Sequence, residues 1–493
     1  GKADTTNISS GSRQVVEKDG TATGSNISAG GSLIVYTGGI AHGVNQETGS
    51  ALVANTGAGT DIEGYNKLSH FTITGGEANY VVLENTGELT VVAKTSAKNT
   101  TIDTGGKLIV QKEAKTDSTR LNNGGVLEVQ DGGEAKHVEQ QSGGALIAST
   151  TSGTLIEGTN SYGDAFYIRN SEAKNVVLEN AGSLTVVTGS RAVDTIINAN
   201  GKMDVYGKDV GTVLNSAGTQ TIYASATSDK ANIKGGKQTV YGLATEANIE
   251  SGEQIVDGGS TEKTHINGGT QTVQNYGKAI NTDIVSGLQQ IMANGTAEGS
   301  IINGGSQVVN EGGLAENSVL NDGGTLDVRE KGSATGIQQS SQGALVATTR
   351  ATRVTGTRAD GVAFSIEQGA ANNILLANGG VLTVESDTSS DKTQVNMGGR
   401  EIVKTKATAT GTTLTGGEQI VEGVANETTI NDGGIQTVSA NGEAIKTKIN
   451  EGGTLTVNDN GKATDIVQNS GAALQTSTAN PEYHLSNGME SKS

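Results

Sequence analysis

The chain has 493 residues, among them 73 glycines and no cysteine or tryptophan, and its formal net charge is −18. The acidic balance argues against nucleic acid and anionic membranes as partners. The lack of cysteine excludes a disulfide framework, and the lack of a long apolar run excludes a transmembrane helix. Composition alone would suit a disordered chain, so evidence for a fold must come from sequence pattern.

A repeated unit begins in residues 1–43 and recurs through most of the chain. Two clear copies are IDTGGKLIV at Ile102 and LNNGGVLEV at Leu121, 19 residues apart. Apolar alternation predicts short strands, Gly-Gly predicts a tight turn, and a following Gly-x-Ala predicts a corner with a small inward side chain. Because one unit cannot bury its apolar face alone, the repeat predicts an all-β, right-handed parallel β-helix (β-solenoid) of about 25 coils with ~19-residue repeats.

Longer, divergent modules interrupt the regular units near residues 44–92, 138–187 and 337–384. The chain has three Phe residues, and each takes the same place in one of these modules: Phe71, Phe166 and Phe364. We predict that the three rings are structural core residues that fill a wider coil. An exposed ligand platform is the alternative.

Between the modules, a row of glutamines replaces the Leu of the regular unit. Six successive units carry it, at Gln220, Gln238, Gln254, Gln271, Gln289 and Gln307. If these side chains face inward, they form a stacked amide ladder in which each amide bonds its neighbours. A half-exposed corner row is the alternative.

Charges test the proposed stacking, because opposite signs recur at the repeat distance. We predict cross-coil ion pairs between Lys94 and Glu113, Lys98 and Asp117, Lys112 and Asp131, and Lys115 and Glu134. Each exposed pair contributes only ~0–1 kcal/mol, so its value is as evidence of register.

The carboxyl end departs from the repeat. A fourth module begins at Gly471, but its continuation, ANPEYHLSNGMESKS, does not match the pattern. We therefore expect a β-helix domain over residues 1–479 and a frayed or non-native tail over residues 480–493. The sequence starts without a signal peptide and resembles a mature or truncated fragment.

Residues for catalysis or metal binding do not form a recognisable motif. There is no G-x-S-x-G or H-E-x-x-H string, and the histidines occur singly, at His42, His70, His137, His265 and His484. We predict no enzyme activity, no catalytic residues, no metal and no cofactor. A β-helical polysaccharide-degrading enzyme is the less favoured alternative.

The repeated unit, the Gly-x-Ala turns and the GAL(V/I)A…F-x-I…VVLEN-x-G-x-L-x-V module resemble the passenger domains of self-associating autotransporters, the antigen-43 and AIDA adhesin type. The resemblance covers residues 1–479. It implies a β-helical adhesin at the bacterial cell surface that drives cell aggregation and biofilm growth by binding copies of itself on neighbouring cells. It also implies attachment to the outer membrane through a translocator barrel outside this chain. Binding to host glycans or matrix proteins is the alternative function.

Polar turn residues beside the Gly-Gly pairs are the predicted self-association surface, since they recur once per coil on one edge. Two molecules side by side would match period to period, and many weak contacts would add together. The predicted residues are Asn122, Asn123, Asn303, Asn321, Asp322, Asn431 and Asp432. The alternative role of such residues is to cap their own backbone turns.

Overall fold

The computed structural model describes residues 1–477, 481–486 and 490–492, and every regular element among them is a β-strand. The chain divides into two compact units, Gly1–Thr245 and Glu246–Ser493. Each unit is a parallel β-solenoid, and the two contain about 25 turns with a spacing of ~19 residues. The predicted fold class is confirmed. In the described ranges no helix is long and apolar enough to cross a membrane.

Each regular coil contains three short strands, of three, two and four residues. One coil comprises Ser96–Lys98, Thr101–Ile102 and Lys107–Val110, and the next comprises Lys115–Asp117, Arg120–Leu121 and Val126–Val129. Successive coils pair in parallel, strand upon equivalent strand, with Lys98 opposite Asp117 and Leu108 opposite Leu127. The predicted 19-residue register is therefore confirmed here.

Three corners close a regular 19-residue coil, and each holds a residue in the left-handed backbone region. In one coil these are Asn99 (φ 55°), Gly105 (φ 79°) and Glu113 (φ 63°). The second glycine of the Gly-Gly pair has a different role: a Cβ on Gly106 would lie 2.0 Å from the carbonyl oxygen of Leu83 in the coil before. The pair thus combines a left-handed turn with a close approach between coils that only glycine permits.

The core lies inside the coils and consists of apolar rows that run from coil to coil. Within one coil Ala97, Ile102, Leu108 and Val110 are fully buried. The residues between them on the strands face outward, which is the period of two that the sequence shows. Ala135, two residues after Gly133, is also fully buried and provides the small inward side chain predicted for the Gly-x-Ala turn.

The three divergent modules contain a β-hairpin, and the predicted wider coil is wrong. In the first module Ile40–Gln46 pairs in parallel with Asp61–Tyr65, which pairs antiparallel with His70–Thr74, which in turn pairs antiparallel with Glu77–Asn79. A short antiparallel sheet is thereby inserted into the parallel one. The equivalent strands are Leu155–Thr159, Ala165–Arg169 and Glu172–Lys174 in the second hairpin, and Arg353–Arg358, Ala363–Glu367 and Ala370–Asn372 in the third.

The three Phe rings lie in these hairpins and are buried, as predicted, with exposures of 1% to 3%. Each ring sits directly opposite a glycine of the preceding strand: Phe71 opposite Gly64, Phe166 opposite Gly158, and Phe364 opposite Gly356. A Cβ on Gly356 would lie 2.6 Å from the Phe364 ring. The glycine that ends the I-E-G string at residues 62–64 and 156–158, or the V-T-G string at residues 354–356, thus leaves the space that the Phe ring of the same module fills.

The glutamine ladder is confirmed, and all six side chains are buried. In the first unit Gln238 Nε2 donates to Gln220 Oε1 at 2.9 Å. In the second unit Gln271, Gln289 and Gln307 each donate to the Oε1 of the glutamine one coil earlier, at 2.8 to 2.9 Å. A further run, in which Gln436 donates to Gln419 at 2.8 Å, was not predicted.

In four coils where the repeat is 16 to 18 residues, the strands on either side of the Gly-Gly or Ser-Gly turn merge into longer ones. These are Asn232–Val240 in the first unit, and Asn248–Asp257, His265–Gln274 and Asp283–Ile291 in the second. The corner is flattened in these four coils, whereas another coil with a 17-residue repeat keeps two separate strands there, Val213–Asn215 and Thr219–Ile222.

The prediction of a frayed tail is wrong for Glu482–Leu485. This strand pairs in parallel with Lys462–Gln468, with a register shift between Ala463 and Ile466, and antiparallel with Glu490–Lys492. The first module shows the same arrangement, with its register shift between Ala41 and Val44. The end of the chain therefore forms a fourth hairpin. Residues 478–480, 487–489 and 493 of the predicted tail lie outside the described ranges.

Candidate functional site

In each unit the predicted association residues fall into two rows along the Gly-Gly corner. The first row bonds from coil to coil and is half-buried except at Asn303, which is exposed. Asn122 Nδ2 donates to Asp103 Oδ1 at 2.7 Å, and Asn321 Nδ2 donates to Asn303 Oδ1 at 2.7 Å. Asn431 Oδ1 accepts from Asn450 Nδ2 at 2.8 Å. These amides stabilise the stack and do not merely cap their own turns.

The second row consists of Asn123, Asp322 and Asp432, one residue farther into the turn, and all three are exposed. We call them the exposed turn residues. Asp322 accepts a bond from Ser340 in the next coil at 3.2 Å. The seven predicted residues thus occupy one kind of corner in different coils and do not form a single cluster.

Of the four predicted ion pairs, only Lys115 and Glu134 lie within 4.0 Å among the described residues, at 3.7 Å. Lys98 pairs instead with Glu77 at 3.6 Å. Asp117 bonds Ser118 and His137. The bond from Ser118 has the largest effect and lowers the pKa of Asp117, burial opposes it, and the contact with His137 lowers the pKa further. A correct register does not determine which ion pairs form, because a long exposed side chain can reach a diagonal neighbour instead of the residue directly opposite.

Corner geometry explains two of the predicted pairs that do not form. Lys94 and Glu113 are both left-handed corner residues, and the Lys94 amide donates to the Glu113 carbonyl at 2.9 Å. Lys112 and Asp131 precede the equivalent corners, and Asp131 accepts from Ser149 at 2.6 Å. These backbones are stacked, while their side chains are directed elsewhere.

Two of the hairpin tips dock on the same corner as the amide row. Lys67, at the first tip, contacts Glu84 at 2.5 Å and Asp103 at 2.6 Å. Burial lowers the pKa of Lys67, but the bonds to Asp103 and Glu84 outweigh it and the net shift is upward. At the second tip the Tyr162 hydroxyl accepts from Asn198 at 3.1 Å. These tips are fastened structures and not free loops.

Three tyrosines stack along consecutive coils of the first unit. Tyr206 and Tyr223 are nearly parallel, at 6° and 4.2 Å between ring centroids, and Tyr241 continues the row 6.3 Å from Tyr223. The Tyr223 hydroxyl donates to Asp204 at 3.2 Å. Burial, followed by the contacts with Tyr206 and Asp204, raises the pKa of Tyr223 to about 12. The sequence signal was the recurrence of Val-Tyr or Ile-Tyr every 17 or 18 residues, which the sequence analysis did not use.

The histidines pair singly with carboxylates: His42 with Asp61 at 3.0 Å, His70 with Glu63 at 2.8 Å, and His265 with Asp283 at 3.0 Å. Within the described ranges, no group of three or more acidic or histidine side chains is placed to hold a metal ion. What the surface offers is repeated polar and aromatic rows.

Comparison with known families matches four segments of the chain, residues 63–125, 157–218, 355–417 and 419–472, to the family described as "AIDA: Adhesin of bacterial autotransporter system, probable stalk". The chain belongs to this family. Its first three segments begin at the same residue of each hairpin, one before the glycine that faces the Phe ring, and the fourth lies in regular coils. The AIDA segments cover about half of the chain, less than the resemblance over residues 1–479.

A solved structure that resembles this AIDA chain is the crystal structure of a TibC-catalysed, hyper-glycosylated TibA fragment. It is 29% identical in sequence, and the match covers 63% of this chain and 98% of that fragment with a TM-score of 0.34. Family membership, and not this structural likeness, makes the chain an autotransporter adhesin.

Proposed function

We propose that this AIDA adhesin acts at the bacterial cell surface by associating with copies of itself on neighbouring cells, and thereby promotes aggregation and biofilm growth. The observation that carries the proposal is the pair of rows at the Gly-Gly corner. The inner row, with Asn122, Asn321 and Asn431, is held in coil-to-coil bonds, and the row beside it is exposed.

The bonds of the inner row hold the backbone of each turn in place. The exposed turn residues beside it are therefore already positioned, and binding does not require ordering of the turn. Single contacts contribute about 0.5–1.5 kcal/mol, and several added together reach micromolar affinity. Many copies on two facing cells then supply avidity. The proposal assigns the residues no catalytic role.

Sedimentation velocity over a concentration series tests self-association directly. The combined substitutions Asn123→Ala, Asp322→Ala and Asp432→Ala are expected to weaken dimerisation at least tenfold. The matched control is Asp131→Ala with Glu311→Ala. This control also removes two negative charges, but from exposed positions at a different corner of the coils. It is expected to leave dimerisation unchanged.

Two outcomes would contradict this mechanism. If the control weakens association as much as the combined variant, charge alone governs binding and the exposed turn residues are not the contact. If dimerisation is the same in low salt and in 1 M salt, polar contacts are not its basis.

A further inference from the structure

The tyrosine stack of the first unit ends at an open groove. Tyr206 is covered by Tyr223 on one ring face. One coil earlier, the register position of Tyr206 is held by Val187, since Val186 pairs with Val205 and the Tyr206 amide donates to the Val186 carbonyl. Thr188 and Gly189 follow Val187 and line a groove together with Tyr206. Among the described residues no second ring stacks on Tyr206 from this side, and the tyrosine lines the groove.

The groove has a volume of about 520 Å³, and Arg191 and Lys208 also line it. Small-ligand sites typically measure about 300–1,000 Å³. Tyr206 is 42% exposed, so the edge and one face of the ring are accessible from solvent. An aromatic ring with one free face is a platform for a flat ligand.

Cations dominate the rim of the groove, although the chain as a whole carries a net charge of −18. Glu172 lies 3.7 Å from Arg191 and also accepts from the Tyr167 hydroxyl at 2.8 Å. Lys208 has no carboxylate within 4.0 Å among the described residues. One positive charge is balanced by Glu172, and the other remains available for an anion.

We propose that this groove binds one carboxylated sugar residue of an acidic polysaccharide. The apolar face of the sugar ring lies on Tyr206 and extends the tyrosine stack by one member. Lys208 and Arg191 contact the carboxylate, and Glu172 accepts hydrogen bonds from ring hydroxyls. A planar aromatic anion would use the ring face and the cations but would offer no hydroxyl donors to Glu172.

The inference does not depend on self-association, since the groove and the exposed turn residues are made by different residues. Binding is measured by titration calorimetry with an oligomer of galacturonic acid on the full chain. The same oligomer after reduction of its carboxyls to neutral galactose is the comparison ligand. The acidic oligomer is expected to bind with millimolar or better affinity, and the neutral one at least fivefold more weakly.

Two variants separate the ring face from the fold. Val187→Tyr extends the stack into the place of the sugar, while Tyr206 itself is kept, and is expected to abolish binding. Tyr206→Ala is expected to weaken binding at least fivefold, whereas Tyr206→Phe, which retains the ring face, binds as the parent does. Tyr241→Ala, at the other end of the stack and outside the groove, is the control and is expected to have no effect.

Lys208→Gln is expected to reduce binding of the acidic oligomer to the level of the neutral one. The proposal is overturned if neither oligomer binds, if both bind equally, or if Val187→Tyr binds as the parent does. Sedimentation of the same variants distinguishes the two functions, because none of them is expected to change dimerisation.

Discussion

Two buried acids, Asp209 and Glu401, accept the bond from the first glutamine of an amide run. Their position follows from the direction of the hydrogen bonds. Every ladder amide donates toward the amino-terminal side, so the first amide of a run needs an acceptor. Gln220 donates to Asp209 at 2.7 Å, and Gln419 donates to Glu401 at 2.8 Å. At the far end a hydroxyl donates instead: Thr447 to Gln436, at 2.9 Å. An acid at one end and a hydroxyl at the other complete a directional chain.

Asp209 should make the first unit less stable as pH rises. Burial raises its pKa from 3.8 to about 6, although bonds from Thr212, Gln220 and Ser228 act in the opposite direction. The folded state thus binds the proton of Asp209 more tightly than the unfolded state does. The stabilisation from this proton is fully present below about pH 4, decreases as the pH rises to about 6, and does not change further above that. Its size is roughly 3 kcal/mol.

Asp209→Asn removes the titration while keeping an acceptor for Gln220. Hydrogen exchange of the coils around residue 209 is expected to be more protected in the variant than in the parent at pH 7, and similar in the two at pH 4. Asp131→Asn, at an exposed corner, serves as the control. If the parent and Asp209→Asn are equally protected from hydrogen exchange at pH 7, the buried carboxylate does not destabilise the folded state and the prediction is wrong.

At the scale of the element, the Phe–Gly contact is expected to hold each hairpin against the coils. Phe166→Ala leaves a cavity opposite Gly158 and should cost about 3–5 kcal/mol locally. Because coils of a solenoid contact only their neighbours, hydrogen exchange should increase in the second hairpin and the adjacent coils, and remain as in the parent in the first hairpin. Phe166→Leu, which fills most of the volume, should show a smaller effect. A uniform loss of protection through the unit would be incompatible with this expectation.

Burial of the three Phe residues was predicted from their shared place in the divergent modules. The period of the sequence was sufficient to predict the strands, their register and the inward Gln residues, because each is a consequence of stacking equal units. It was not sufficient for the hairpins. Parallel and antiparallel strands share the same alternation of inward and outward side chains. The A-F-Y-I string that contains Phe166 is therefore compatible with either direction of pairing. The fourth hairpin, around Tyr483, was missed because its residues differ from the other three while its register shift is the same.

The candidate site was predictable only in part, for a similar reason. Repeat position identified which residues lie at the Gly-Gly corner, including Asn122 and Asn123. It did not distinguish the bonded row from the exposed one, since this depends on side-chain direction within the turn. The tyrosine groove exists because Val187 occupies the position that Tyr206, Tyr223 and Tyr241 occupy in the next three coils. A difference between units of this kind cannot be predicted from the repeat.

At the scale of the whole molecule, net charge opposes the proposed self-association. Two copies that each carry −18 repel one another, and the chain has five histidines, so its charge changes little between pH 8 and pH 6.5. Most of the charge is lost as carboxylates take up protons toward the sequence pI of about 4.8. Repulsion should therefore fall steeply only between about pH 6 and pH 5.

Dimerisation, measured by sedimentation in 0.15 M salt, is consequently expected to be nearly constant from pH 8 to pH 6.5 and to strengthen below pH 6. In 1 M salt the Debye length is only about 3 Å, so the long-range part of the repulsion is screened and the pH dependence should be smaller. The combined variant of the exposed turn residues should show the same pH trend from a weaker starting affinity, because its charge is close to that of the parent. Association that weakens steadily as pH falls would instead indicate that ionised carboxylates form the contact itself, and the exposed Asp322 and Asp432 would then act as ion-pair partners and not as hydrogen-bond acceptors.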